Sequence, residues 1–259
     1  MPAAASTQIF SNQAKDIQLS VVTVTYNERE NITPLIEKLN EIFQGNNIIG
    51  EVVVVDDSSP DGTSETVLEL RKKYPKVVLV KRPDKMGIAS AYKDGLKTAR
   101  GEVITFMDAD LSMPPTILPQ LYQIASEGKI GWGSRYLKKT KFETDWFHYL
   151  GASVLNKWIA HWLKTRIKDH TLGYVCLKRK LLEKILNYGK EKEVSPFDQV
   201  LYGLPISALS TKLNLSIVEI ESPYEKRTYG ETKIKFVNGV KLVLSNMKQT
   251  LELRKKLGR

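Results

Sequence analysis

Four consecutive valines, Val52 to Val55, run straight into Asp56 and Asp57. A strand with one wet face alternates apolar and polar residues. An unbroken β-branched run needs apolar neighbours on both faces. The spacing therefore predicts a strand over 51–57 in the middle of a sheet, covered by helices on both sides, with two carboxylates at its carboxyl end. Strands are expected likewise over 19–26, 77–81, 103–108, 131–136, 171–177 and 215–221. Helical periodicity places Ile32, Leu35, Ile36, Leu39 and Phe43 on one face of a helix capped by Asn31 and closed by Gly45. Further helices are expected over 64–74, 88–99, 116–127, 147–163, 181–186, 197–213 (broken near Pro205) and 236–257. That alternation argues for an α/β fold with a doubly wound, mostly parallel sheet. A length of 259 residues suits one such domain.

Ligands of parallel α/β sheets collect at the carboxyl ends of the strands, so what stands there matters most. The strand at 103–108 delivers Asp108 and Asp110 at i and i+2, and Pro114-Pro115 then stops it and can open a helix. Alternation along an extended strand end aims both carboxylates the same way. Two hard oxygen donors can hold Mg²⁺ or Mn²⁺ with positions left for a diphosphate. An isolated Asp-x-Asp is more often a solvated acidic turn; the second acidic strand end, Asp56-Asp57, tips the balance here. The first strand adds Tyr26-Asn27-Glu28. Arg135, and the Arg227/Lys233 pair in a polar loop, are candidate cations for the diphosphate. Neither a Gly-x-x-x-x-Gly-Lys-[Ser/Thr] loop nor a Gly-x-Gly-x-x-Gly follows the first strand, which argues against NTPase and dinucleotide sites.

Net charge is +10, which calls for an anionic partner. From Lys233 onward there are eight basic residues against the single acid Glu252. A nucleic-acid-binding protein would match the charge, but no nucleic-acid module is recognisable and the acidic strand ends would go unexplained. A nucleotidyltransferase would use paired carboxylates, but the glycine-rich, lysine-bearing loop is missing. With Cys176 as the single cysteine and only His148, His161 and His170, neither a disulfide nor a cysteine or histidine metal cluster is expected. Residues 1–18 are small and polar, read as a flexible tail rather than a signal peptide. No stretch has the apolar length to span a bilayer.

Two helices suit a membrane surface. Over 147–163, Phe147, Leu150, Val154, Trp158, Ile159 and Trp162 make an apolar stripe beside Lys157, Lys164 and Arg166; a core helix and an interfacial helix fit that pattern equally. Over 236–257, Phe236, Val237, Val240, Val243, Leu244, Met247, Leu251 and Leu257 share a broad side ringed by Lys241, Lys248, Arg254, Lys255 and Lys256. Such a helix lies in the headgroup plane, packs on the sheet, or leads to a membrane segment or an anchoring subunit. The organisation expected is a tail over 1–18, a main domain over 19–233 and a basic amphipathic helix over 234–259. The place expected for the chain is the cytoplasmic face of a membrane, as a peripheral protein.

Five stretches occur together: residues 25–31 (TYNEREN), 56–63 (DDSSPDGT), 107–112 (MDADLS), 133–136 (GSRY) and 229–233 (YGETK). In this order they resemble the dolichyl-phosphate mannosyltransferases, within the inverting family-2 glycosyltransferases of GT-A fold. The resemblance runs from about residue 19 to 233, and its most specific part is 56–63. It implies mannose transfer from GDP-mannose to dolichyl (polyprenyl) phosphate, with UDP-glucose as the rival donor, and Mg²⁺ or Mn²⁺ as cofactor. It also implies that Tyr26, Glu28 and Asp57 contact the nucleotide, with Val24 and Val55 adding backbone or packing contacts. Asp108 and Asp110 would hold the metal and Ala109 would touch the nucleotide-sugar through its backbone. Arg135 would lie on the phosphates or the acceptor, and Arg227 and Lys233 would clamp the diphosphate from a mobile loop. The chain departs from the family pattern at Val24, where proline is usual, and at Val175, where arginine is usual. Asp145 and Tyr149 stand about where the family places an arginine and a serine for the acceptor phosphate.

Overall fold

A computed structural model describes residues 17–137, 146–198, 201–223 and 236–258, without the side chains of 146–149 and 236–239. The expected tail, the stretch 138–144 and the loop bearing Arg227 and Lys233 lie outside the described residues, apart from the last two residues of the tail. Seven strands form one sheet in the order β3-β2-β1-β4-β6-β5-β7. They are β1 (Leu19–Thr25), β2 (Gly50–Asp56), β3 (Val77–Lys81), β4 (Val103–Asp108), β5 (Ile130–Ser134), β6 (Val175–Lys178) and β7 (Ile217–Glu221).

The valine run behaves as its composition requires. Val53 and Val55 pack into the apolar cluster on one face, with Tyr92, Leu96 and Phe106. Val52 and Val54 pack into the other, with Leu35, Leu39 and Val67. The helices over these faces are α1 (Arg29–Gly45), α2 (Thr63–Lys73), α3 (Ile88–Thr98), α4 (Leu118–Ser126), α5 (Trp146–Leu163), α6 (Arg179–Glu191), α7 (Gly203–Lys212) and α8 (Phe236–Lys256). Helix α3 sits close against the sheet because Gly95 has no side chain: a Cβ there would lie 2.5 Å from Val22 Cγ1 and 2.8 Å from Val55 Cγ2.

The sheet is mixed rather than wholly parallel. β6 runs antiparallel to both β4 and β5, while β1 pairs parallel with β2 and β4, β2 with β3, and β5 with β7. Residues 171–174 are not strand; β6 begins only at Val175, which is fully buried. Pro205 does not break a helix either. It sits in the first turn of α7, where a missing N–H removes no helical bond. Asn31 is no cap: it lies inside α1, buried, with its amide donating to Glu28 Oε2 at 2.7 Å.

Helix α8 divides its apolar residues between two surroundings. Leu253 and Leu257 are buried in the core, and Val243 and Met247 pack against it. Val240, Leu244 and Leu251 face outward at 47%, 61% and 41% exposure, as do Leu150 and Val154 on α5. The two helices run in parallel: Gly151 lies beside Val243, and the Arg254 guanidinium lies 4.6 Å over the Trp162 ring. Among the described residues, no helix is long and apolar enough to cross a membrane.

Candidate active site at the carboxyl edge of the sheet

Strand register lines up Val80, Val55, Val24 and Asp108 in one row across β3, β2, β1 and β4. The chain moves outward from β1 through β2 to β3 and then returns to β1's other side as β4. This is a switch point, the place where doubly wound sheets bind their ligands. Tyr26, Glu28, Asp57, Ala109 and Asp110 all lie within the loops that leave this edge.

The two aspartates ending β2 have different tasks. The fully buried Asp56 carboxylate accepts Thr25 Oγ1 at 2.8 Å, Ser59 Oγ at 2.5 Å, the Ser59 amide at 3.0 Å and Ser64 Oγ at 2.7 Å. That saturation makes it a brace for the turn. The turn in its length grips the β1–α1 loop. Ser59 Oγ takes the Asn27 amide (2.9 Å), Thr63 Oγ1 the Glu28 amide (3.1 Å) and Asp61 Oδ2 the Arg29 amide (3.1 Å). Asn27 and Ser58 both hold positive φ, 57° and 54°, so these loops need such outside support.

Asp57, only 3% exposed, is held by Arg82, which is equally buried. One guanidinium nitrogen donates to Asp57 Oδ1 at 2.5 Å and to Gly87 O at 3.2 Å. Another donates to Ser90 Oγ at 2.7 Å, and Nε lies 3.2 Å from Asp94 Oδ2. The Gly87 amide closes the ring on Asp57 Oδ2 at 3.3 Å. Sequence reasoning missed Arg82, because nothing in one sequence sets it apart among 39 basic residues. Lys85, from the same β3–α3 loop, places its ammonium 3.8 Å over the Tyr26 ring.

β4 ends at Asp108, and Ala109-Asp110 form a turn, so strand alternation stops short of Asp110. Leu111 takes positive φ (62°), and the Ser112 amide donates to Asp110 Oδ1 at 3.0 Å. Tyr92 donates to Asp108 Oδ1 at 3.2 Å. Among the described residues no group of three or more His, Cys, Asp or Glu is arranged to hold a metal. Two carboxylates, both hard oxygen donors, fit an Mg²⁺ or Mn²⁺ that takes its other ligands from a diphosphate and water.

Arg135 stands just beyond β5, on the other side of β6, and is tied to Asp169. Its Nε and a terminal nitrogen donate to the two carboxylate oxygens at 2.7 and 2.9 Å, its amide donates at 3.1 Å, and Thr171 Oγ1 accepts at 2.6 Å. Burial alone would raise the Asp169 carboxyl; the charge and hydrogen bonds of Arg135 outweigh it and hold the carboxyl below the ordinary range. The Arg135 charge is thus already opposed by a buried carboxylate, which fixes the direction of its fork.

Next to this pair, His170 is fully buried, its Nδ1 2.8 Å from Ser207 Oγ. Ser207 Oγ also lies 2.8 Å from Leu204 O, and a hydroxyl that gives its proton there accepts from the imidazole. Burial lowers the imidazole from 6.5 to about 4, against the opposing pull of Asp169. The unfolded chain therefore takes up this proton first as pH falls. Stability is whole above pH 6.5 and drains away toward pH 4, by about 2 kcal/mol between pH 7.5 and 5. Urea unfolding at those two pH values should show that loss, and His170→Gln should flatten it.

A family model described as "Glycosyl transferase family 2" matches residues 20–186. A "Dolichol-phosphate mannosyltransferase" of Pyrococcus furiosus is 36% identical over 85% of this chain, which spans only 60% of that protein's length. The protein of the same name from Saccharomyces cerevisiae is 29% identical, covering 92% of this chain and 87% of the relative. A "Polyprenol monophosphomannose synthase" of Mycolicibacterium smegmatis is 31% identical, covering 83% and 80%. Among solved structures, glucosyl-3-phosphoglycerate synthase of Mycobacterium tuberculosis, in complex with Mn²⁺ and UDP-glucose, superposes with a TM-score of 0.60 at 18% identity. That match covers 93% of this chain and 79% of that one. Mannosyl-3-phosphoglycerate synthase of Rubrobacter xylanophilus gives 0.60 at 15%, covering 94% and 76%. These two likenesses establish the fold.

Proposed function

Because this chain belongs to glycosyl transferase family 2 and has the GT-A fold, we propose that it transfers mannose from GDP-mannose to a dolichyl (polyprenyl) phosphate, with inversion and with Mg²⁺ or Mn²⁺ bound. The observation that carries the reading is the meeting of three strand ends, Tyr26–Glu28, Asp57 and Asp108–Asp110, at one switch point. The names of the relatives supply the sugar and the lipid.

In this reading Tyr26, Glu28 and Asp57 receive the nucleoside, Val24 and Val55 shape its floor, and the Ala109 backbone meets the nucleotide-sugar. Asp108 and Asp110 hold the cation, which when bound supplies Lewis-acid neutralisation of the diphosphate. Arg135, Arg227 and Lys233 add positive charge where the leaving diphosphate develops negative charge. The attacking group is an oxygen of the lipid phosphate. A phosphate monoester is already ionised near neutral pH, so no side chain need remove a proton, and the anomeric carbon inverts as the GDP oxygen leaves.

A polyprenyl tail does not leave a bilayer, so the protein works as a peripheral partner of a membrane's cytoplasmic face, alone or with an anchoring subunit. Outward-facing Leu150, Val154, Val240, Leu244 and Leu251 beside Lys241 and Lys248 support a contact through α5 and α8. The unit over 19–233 carries the chemistry and the helix over 234–259 adds to that contact.

The test uses anionic liposomes containing a polyprenyl phosphate, Mn²⁺, and either GDP-mannose or UDP-glucose. Mannosyl lipid should form from GDP-mannose alone, GDP should bind more tightly than UDP by calorimetry, and the protein should float at low salt. Leu150→Ser with Leu244→Ser should reduce flotation without unfolding the chain. Glucosyl lipid from UDP-glucose would replace the donor in this reading, and no transfer from either would refute it.

A further inference from the structure

The two halves of the sheet meet at two buried tyrosines. Tyr92 comes from α3 and Tyr202 from just before α7, with ring centroids 4.6 Å apart. Phe106 of β4 stands edge-on to both, at 5.3 and 5.4 Å, and Phe197 lies 5.8 Å beyond it. A phenol so enclosed is costly unless its hydroxyl is bonded. Tyr202 donates to Gly173 O at 2.8 Å. The Tyr92 hydroxyl points to the end of β4, 3.3 Å from Met107 O and 3.2 Å from Asp108 Oδ1. It has one proton, and a carboxylate is the stronger acceptor.

Asp108 itself is partly exposed at the strand end, while its donor is locked in an aromatic cage. We propose that Tyr92 is a positioning residue for Asp108: its buried hydroxyl holds Oδ1 and so fixes the direction in which the carboxylate meets a divalent cation. The inference rests on the reading of Asp108 as a cation ligand given above. Partners behind a metal ligand orient it and set its basicity, and their loss commonly weakens metal binding tenfold to a hundredfold. Tyr202 provides an internal comparison, since it shares the cage and gives its own proton to Gly173 O, reaching the carboxylate only through the Tyr92 hydroxyl beside it.

Mn²⁺ binding to the full chain without nucleotide, read from the electron paramagnetic resonance of free Mn²⁺, tests this alongside thermal midpoints. Tyr92→Phe should weaken Mn²⁺ roughly tenfold. Tyr202→Phe should change it less than about twofold while lowering the midpoint to a similar degree. Asp108→Glu, which keeps the charge but shifts the carboxylate from the Tyr92 hydroxyl, should also weaken binding and serves if Tyr92→Phe is too unstable to titrate. Equal weakening by both tyrosine variants, or wild-type affinity in Tyr92→Phe or Asp108→Glu while Asp108→Asn loses Mn²⁺, overturns the positioning role. Unchanged Mn²⁺ affinity in Asp108→Asn refutes the cation site itself, and the inference falls with it.

Discussion

Asp108→Asn and Asp110→Asn should each lower sugar transfer by roughly a hundredfold to a thousandfold, the scale expected when a charge-stabilising group is removed from the reacting centre. The amide keeps the shape of the carboxylate and one acceptor oxygen. The Tyr92 hydroxyl at Asp108 and the Ser112 amide at Asp110 therefore retain a partner, and the fold should persist. What is lost is the negative charge that a hard cation needs. Transfer assays with saturating Mn²⁺ and donor, beside circular dichroism and urea unfolding, separate the two effects. Wild-type turnover by either variant would remove the pair from the chemistry.

The second large effect is expected on stability rather than on chemistry. Arg82→Met fills a similar space with no charge and leaves Asp57 buried beside the Gly87 amide alone among the partners described above. An uncompensated charge of this kind costs about 3–5 kcal/mol. Asp57→Asn should cost less, because Arg82 keeps Asp94, Ser90 and Gly87 O. The double variant should be more stable than Arg82→Met alone. Urea midpoints of the three proteins give the answer. A loss below about 1 kcal/mol for Arg82→Met, the range of a surface pair, would mean that Asp57 finds solvent or another donor.

The residues that announce themselves are those whose local pattern has one explanation. Four valines in a row dictated a two-sided central strand, and Val52 to Val55 divide between the two cores accordingly. The acidic strand ends were visible because the strands before them were. Arg82 and Tyr92 were not, since their roles depend on partners 25 and 16 residues away across a fold. The bond between Arg135 and Asp169, 34 residues apart, was hidden in the same way. The antiparallel turn of β6 was hidden because residues 171–174, including the positive-φ Gly173, look extended in composition. On α8 the apolar side looked continuous because periodicity records which residues share a face, not which of them meet a neighbour.

The hold that Ser59, Asp61 and Thr63 keep on the amides of Asn27, Glu28 and Arg29 has a dynamic consequence. These loops belong to different strands, and each conformation is completed by the other's bonds. Neither can open by itself: local unfolding of one exposes the donors or acceptors of the second, so both rise to the open state as one cooperative unit. The two walls of the proposed nucleotide site would then be ordered or disordered together. Ligand taken up by one wall would slow amide exchange in the other, and half-formed crevices would contribute little to the ensemble.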